Sequence, residues 1–376
     1  MNRPENIPAL TGLRAYAACW VMVLHLQHGI GIKHNVDFGA FIERGGWAVD
    51  IFFVLSGFIL SMLYSREFES RIDLRTWARY LSARLARIYP LHAFGLLVLG
   101  LYYFGTRLGG TPLPPGFSLG NFALNVSLLH GWGLADRLSW NYPSWSIGTE
   151  WFAYLVMLPL LARALRRLPA WGVLLLGLAA WTIVFLLVHR TGQTIGFQSV
   201  KWGIPRIAAE FLLGYGLHRI WQFHRPAGAR ADALMAGGLT TIVALAFAPA
   251  AFEWLLGPAI CALLLGLTGR GRFGQALFAS RAAVFWGERS YSIYMVHAVV
   301  QIYCNLAIQR LGWAEFTPVQ SWMLLALQVC AVLALSHFTY GRIEVPARQW
   351  VRRRFETAVA TDGTEAKHVR PQVDVA

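Results

Sequence analysis

Long apolar stretches recur along the chain, broken by short Arg-rich or Gly/Pro-rich turns, and each approaches the roughly 20 residues a helix needs to cross a bilayer. The pattern predicts an all-α, polytopic membrane helix bundle of about ten transmembrane helices. They fall near residues 10 to 30, 46 to 64, 87 to 105, 144 to 162, 170 to 189, 203 to 221, 233 to 249, 253 to 269, 289 to 309 and 321 to 341. Between the third and fourth, residues 106 to 143 hold Pro112, Pro114, Pro115 and several glycines around an apolar piece, 119 to 131, too short to span upright. Non-helical backbone at membrane depth needs protein or a water-filled cavity over it. The piece is therefore expected to be re-entrant or surface-lying and to roof a cavity. Residues 1 to 350 are read as one membrane domain and 351 to 376 as a cytoplasmic tail, polar and disordered from about 355.

Composition supports the membrane class, since 56% of residues are hydrophobic and only 14% charged, against about a quarter charged in soluble domains. A net charge of +14 raises the question of nucleic acid, and its distribution answers it. Arg66, Arg71, Arg75, Arg79, Arg84 and Arg87 share one loop region; Arg163, Arg166 and Arg167 share another, and Arg348, Arg352, Arg353 and Arg354 follow the last span. The alternate loops carry few basic residues. This positive-inside pattern places both termini in the cytoplasm of a bacterial inner membrane, with lipid as a partner and no role for nucleic acid. Cys19, Cys261, Cys304 and Cys330 sit in apolar stretches with neither disulfide-framework nor metal-ligand spacing, so no metal is expected. Arg14 interrupts the first apolar segment and no small-residue cleavage site follows Leu26, so that segment reads as a span and not a secretory signal.

Ionisable groups inside spans are costly and mark candidate sites. Arg14 and His25 are eleven residues apart on the first span, which puts both on one helix face with a rise of ~16 Å between them. Asp50 opens the second span near its outer edge, where an interfacial position suffices. Ser56-Gly57 in the same span is either a small-residue packing seat or room made for a ligand. Arg84 and Arg87, at i and i+3 on the cytoplasmic end of the third span, are either topogenic or a fork for phosphate. Ser146 and Glu150 share a face of the fourth span, with Glu150 some 9 Å inside the outer surface and at a depth similar to His25. A carboxylate at that depth could fix the tautomer of the imidazole. Arg206 and Glu210 form an i,i+4 pair able to neutralise itself, and His297 stands alone in the ninth span.

These elements resemble, in order and span placement, the acyltransferase-3 family of integral membrane acyltransferases over roughly residues 7 to 350. Leu10-Thr11-Gly12-Leu13-Arg14 through His25 is similar to its Arg-x10-His element, Phe52-Phe53-Val54-Leu55-Ser56-Gly57-Phe58 to its FFxxSG stretch, Arg84-x-x-Arg87 to its RxxR and Ser146-x-x-x-Glu150 to its SxxxE. Ser290-Tyr291-Ser292-Ile293-Tyr294 with His297, and Glu344-Val345-Pro346-Ala347-Arg348, also look like family elements. Thr11 departs from an Asp often found at that position. The resemblance implies acyl-CoA, usually acetyl-CoA, as donor and a hydroxyl of an extracytoplasmic saccharide or glycolipid as acceptor.

On that reading Arg84, Arg87 and Arg14 hold the CoA phosphates. His25 is the general base, with an acyl-histidine route equally open. Glu150 orients His25, Ser146 adds a polar contact, and Ser56, Trp145, Arg206, Tyr294 and His297 line the substrate. The rival class is a transporter using His25, Glu150, Arg206 and Glu210 as a proton relay, although no convincing repeat supports it. The oligomeric state stays open, a homodimer included.

Overall fold

A computed structural model of the chain describes residues 6–28, 30, 36–110, 116–313 and 316–361. Among them there is no strand. The helices are α1 Pro8–Leu26, α2 Val36–Glu43, α3 Trp47–Phe68, α4 Leu74–Leu108, α5 Leu119–Val126, α6 Trp145–Phe152, α7 Leu158–Ala164, α8 Ala170–His189, α9 Gly203–Trp221 and α10 Gly228–Ala246. They continue with α11 Leu256–Leu267, α12 Arg272–Phe278, α13 Arg281–Glu288, α14 Ser290–Arg310, α15 Pro318–Thr339 and α16 Val345–Thr361. Two π-helical turns, Ala153–Met157 and Tyr340–Glu344, join α6 to α7 and α15 to α16.

Nine helical stretches among the described residues are long and apolar enough to cross a membrane. The expected span at 203 to 221 is present as the 19-residue α9, but it is not among the nine. It carries Arg206, Glu210 and Arg219, and it tolerates the first two because it lies inside the bundle, packed between α3 and α8. Outer helices carry the lipid-facing role: Leu175 and Ile183 on α8, and Met323 and Leu327 on α15, are exposed. Apolar groups can face hydrocarbon at no penalty, so only the interior has to satisfy polar atoms.

The third span starts earlier than expected. Its helix α4 has 35 residues, with the Thr76 amide donating to the N-cap carboxylate of Asp73 at 3.0 Å. Arg84 and Arg87 consequently lie well inside α4 and are buried, not at its end.

The α3–α9 seam is a backbone-to-backbone approach. A Cβ on Gly57 would collide with the Phe211 carbonyl, and one on Gly214 with the Val54 carbonyl. Gly57 is thus the packing seat, while Ser56, about 100° around the helix, faces elsewhere.

Within 106 to 143 the described residues form the short helix α5 and turns rich in side-chain bonds. Asn125 accepts from His92 Nε2 at 2.9 Å through its backbone carbonyl, His130 bonds Ser144 at 3.0 Å, and Trp140 packs among Tyr103, Phe117 and Phe122. His92 is fully buried at this contact. Residues 111 to 115, with the expected Pro112, Pro114 and Pro115, lie outside the described residues. Helix α16 runs through position 355 to Thr361, and the remainder of the expected tail also lies outside them.

Candidate active site

A cavity opens between α1, α3, α4, α6 and α14. Its charged lining is Arg14, Arg84, Arg87 and Glu150, three guanidiniums against one carboxylate. The two arginines of α4 are already engaged. Arg84 Nη2 donates to the Tyr64 hydroxyl at 3.1 Å, and Arg87 Nη1 stands 3.6 Å from Glu344 Oε1. Glu344 is held in turn by Ser292 Oγ at 2.9 Å and by Arg348 at 3.7 Å. Arg14 makes no hydrogen bond or ion pair of its own among the described residues, so its fork is available to a ligand.

Helix order gives the cavity an axis. Along α14 the lining passes from Tyr291, whose hydroxyl donates to the Ile88 carbonyl, to Tyr294 one turn on, and His297 lies a further turn along the helix, past the end of the lining. Along α6 it passes from Glu150 to Ser146, and along α3 from Ser56 to Phe52. At the middle level Ser56 donates to Glu150 Oε1 at 2.7 Å. One level further, Tyr294 donates to the Pro143 carbonyl at 2.8 Å, which leaves Ser146 to donate to the Tyr294 oxygen at 2.7 Å. Past that pair stand His297 and His25, with His25 Nδ1 at 2.8 Å from His297 Nε2. Arginines and histidines therefore occupy opposite ends, and Arg14 and His25 mark them on one helix face, as their spacing requires.

Several expected placements are corrected. Glu150 and His25 form no hydrogen bond; Ser56 takes the carboxylate and His297 takes the imidazole, because Ser146 and Tyr294 lie between them. His25 and His297 sit beyond the Tyr294 end of the cavity and not on its lining. Arg206 and Trp145 do not line it either. Arg206 is fully buried, bonded to Asp50 at 2.8 Å and to the Gln198 carbonyl, with Glu210 at 3.7 Å and the Trp145 ring 5.4 Å away. A buried guanidinium must be paired, and Asp50, also fully buried, meets that need. Asp50 is therefore an interior ion-pair partner and not interfacial. None of the described residues of 106 to 143 appears in the lining, so the expected roof, as far as it is described, lies off this cavity.

Four site residues were not expected from the sequence. Tyr154, in the first π-turn, and Tyr291 line the cavity. Gln301 donates to the backbone carbonyl of His25 and accepts from the Tyr142 hydroxyl at 2.6 Å. The Tyr142 ring stands edge-on to His25 with centroids 5.1 Å apart. Tyr294, His297 and Gln301 form an i, i+3, i+7 polar stripe on α14, a signal legible in the sequence. Tyr142 and Tyr154 carry no such periodic signal. Among the described residues no three His, Cys, Asp or Glu side chains gather to hold a metal ion.

The fold and this cavity define a multi-pass membrane protein with a basic pocket leading to an imidazole pair. The acyltransferase-3 family model, described as an acyltransferase domain, matches residues 7–340, and the chain belongs to that family. The acyltransferase MdmB of Streptomyces mycarofaciens is 28% identical over 391 residues, covering 96% of this chain and 96% of its own. The peptidoglycan O-acetyltransferase OatA of Listeria monocytogenes is 24% identical over 375 residues, covering 92% of this chain but 56% of its own. The O-acetyltransferase OatA of Staphylococcus aureus is 31% identical over 102 residues, 26% of this chain and 14% of its own. No solved structure matches. Family membership decides between enzyme and transporter: the protein is an acyltransferase.

Proposed function

We propose that this protein is an O-acyltransferase of the bacterial inner membrane, with both termini cytoplasmic, that moves an acetyl group from cytoplasmic acetyl-CoA to a hydroxyl of an extracytoplasmic saccharide or glycolipid. The observation that carries the reading is the polarity of one cavity, with three arginines at one end and an imidazole pair past the other. Arg14, Arg84 and Arg87 bind the CoA phosphates by charge-assisted bonds. The pantetheine arm runs past Ser56 and Glu150, and the thioester carbonyl stops near Ser146 and Tyr294, one of whose hydroxyls turns from its resting partner to donate to the developing oxyanion. His25 takes the proton of the acceptor hydroxyl as that oxygen attacks the carbonyl carbon. The C–S bond breaks, and the thiolate leaves with the proton from His25. The saccharide acceptor is supported by the name of one relative, a peptidoglycan O-acetyltransferase.

The test is transfer of label from radioactive acetyl-CoA by purified protein in bilayers, with His25→Ala alongside. Removing a general base lowers the rate by about 10² to 10⁴. Wild-type protein should turn over the thioester, and the variant should bind CoA normally while transferring little. Near-normal transfer by His25→Ala would refute the assignment.

A further inference from the structure

We infer that His297 is a positioning residue that fixes the tautomer of His25, its Nε2 accepting the Nδ1–H of His25 and leaving His25 Nε2 bare. The inference rests on the proposal that His25 is the base, and it gives the orienting part to a neutral ring in place of a carboxylate.

The geometry of the pair is the starting point. His25 Nδ1 and His297 Nε2 are 2.8 Å apart, the ring planes differ by 3°, and the centroids are 5.0 Å apart. That separation is close to the N···N distance extended by one ring radius at each end. The rings therefore meet end to end in nearly one plane, the alignment of a good N–H···N bond and not of a face-to-face stack.

Proton count then limits the states. His297 is fully buried, and no carboxylate contacts either ring: the neighbours are Tyr142 and Tyr294, with Glu150 turned to Ser56. An uncompensated imidazolium is costly in such a place, so each resting ring carries one proton. One of the two protons lies in the N···N bond. The other sits either on His297 Nδ1 or on His25 Nε2.

Surroundings decide between these positions. His297 Nδ1 is buried with no hydrogen-bond partner, and the backbone carbonyls of Ile293 and Tyr294, a turn earlier on α14, are the polar groups that act on the ring from its own helix. An N–H facing carbonyl oxygens is attracted, whereas a bare lone pair there is repelled. The second proton therefore belongs on His297 Nδ1, and the bonding proton on His25 Nδ1. His25 is only partly buried, and with Nδ1 turned to His297 its Nε2 is the nitrogen left for an acceptor hydroxyl. The backbone of His25 is held as well, through Gln301 and Tyr142, so both ring and main chain are fixed from α14. A His oriented through Nδ1 by an acceptor is the arrangement of hydrolytic triads. When Nε2 gains the hydroxyl proton, the bond to His297 persists and steadies the imidazolium.

The experiment is ¹⁵N solid-state NMR of the full-length protein, histidine-labelled, in bilayers at neutral pH, with His25 assigned by its loss in His25→Asn. The expected spectrum shows His25 protonated at Nδ1 and bare at Nε2. His297→Phe should move His25 to the Nε2–H form or a mixture, and should lower kcat about 10- to 100-fold with KM for acetyl-CoA unchanged. His297→Gln, which keeps an acceptor oxygen, should retain the Nδ1–H signal and recover part of kcat. Glu150→Gln should leave the tautomer alone. A wild-type His25 protonated at Nε2, or a signal unmoved in His297→Phe, overturns the inference; should His297→Phe fail to accumulate, the wild-type spectrum decides it. The two readings fail separately. Transfer surviving His25→Ala would remove the base while the tautomer result stood.

Discussion

Arg14 is the one cavity arginine that meets no hydrogen-bond or ion-pair partner among the described residues, while Arg84 has Tyr64 and Arg87 has Glu344. The three should therefore respond differently to truncation. Arg14→Ala removes only a ligand contact, so acyl-CoA affinity should fall roughly ten- to a hundredfold with membrane abundance unchanged. Arg87→Ala should weaken binding and also lower abundance, because Glu344 stays buried with only Ser292 and Arg348 to hold it. Calorimetric titration with CoA on matched preparations reads both, and an Arg14→Ala protein binding as tightly as wild type would remove Arg14 from the donor site. Glu150 offers the opposite sign. It is the one carboxylate of the lining, so Glu150→Gln keeps an acceptor for Ser56 and should bind CoA no more weakly than wild type. Weaker binding would mean that the carboxylate orders the arginines instead of opposing the phosphates.

Between elements, the α3–α9 seam places the cavity wall. Its closeness depends on Gly57 and Gly214, where an added side chain meets a carbonyl on the facing helix. Overpacking of this kind costs about 1–3 kcal/mol even where side chains can move, and backbone oxygens move least. Gly214→Leu should thus abolish monodisperse protein in fluorescence-detected gel filtration, whereas Ser56→Ala, one residue from Gly57, should elute normally and lose transfer activity only in part. Normal elution of Gly214→Leu would mean that the seam opens freely. Arg206 belongs to the same seam. Leaving Asp50 unpaired costs about 3–5 kcal/mol, so Arg206→Ala should lower thermal stability strongly, and any folded remainder should bind CoA as wild type does.

At the scale of the whole molecule, the arginine end of the cavity should open to the cytoplasm, following the loops where arginines concentrate. A reporter fused after residue 125 should then be periplasmic, and a cytoplasmic result would invert the path proposed for donor and acceptor. The bundle, its helix count within one, and the shared face of Arg14 and His25 were legible in the sequence. Hydropathy, charge alternation and a 3.6-residue repeat are local properties that a bilayer reads directly. The short motifs also carried the family resemblance, and the family is confirmed. Spacing along one helix cannot say which other helix will face it. So the sequence paired Glu150 with His25 from depth alone, while packing gave Glu150 to Ser56 and His25 to His297, 272 positions away. It set Arg206 in the substrate site, while burial beside Asp50 closed that guanidinium off. Depth, face and charge follow from the order of residues; the partner of each buried polar group was decided by tertiary structure, because every helix must satisfy its interior atoms with whatever the neighbouring helix presents.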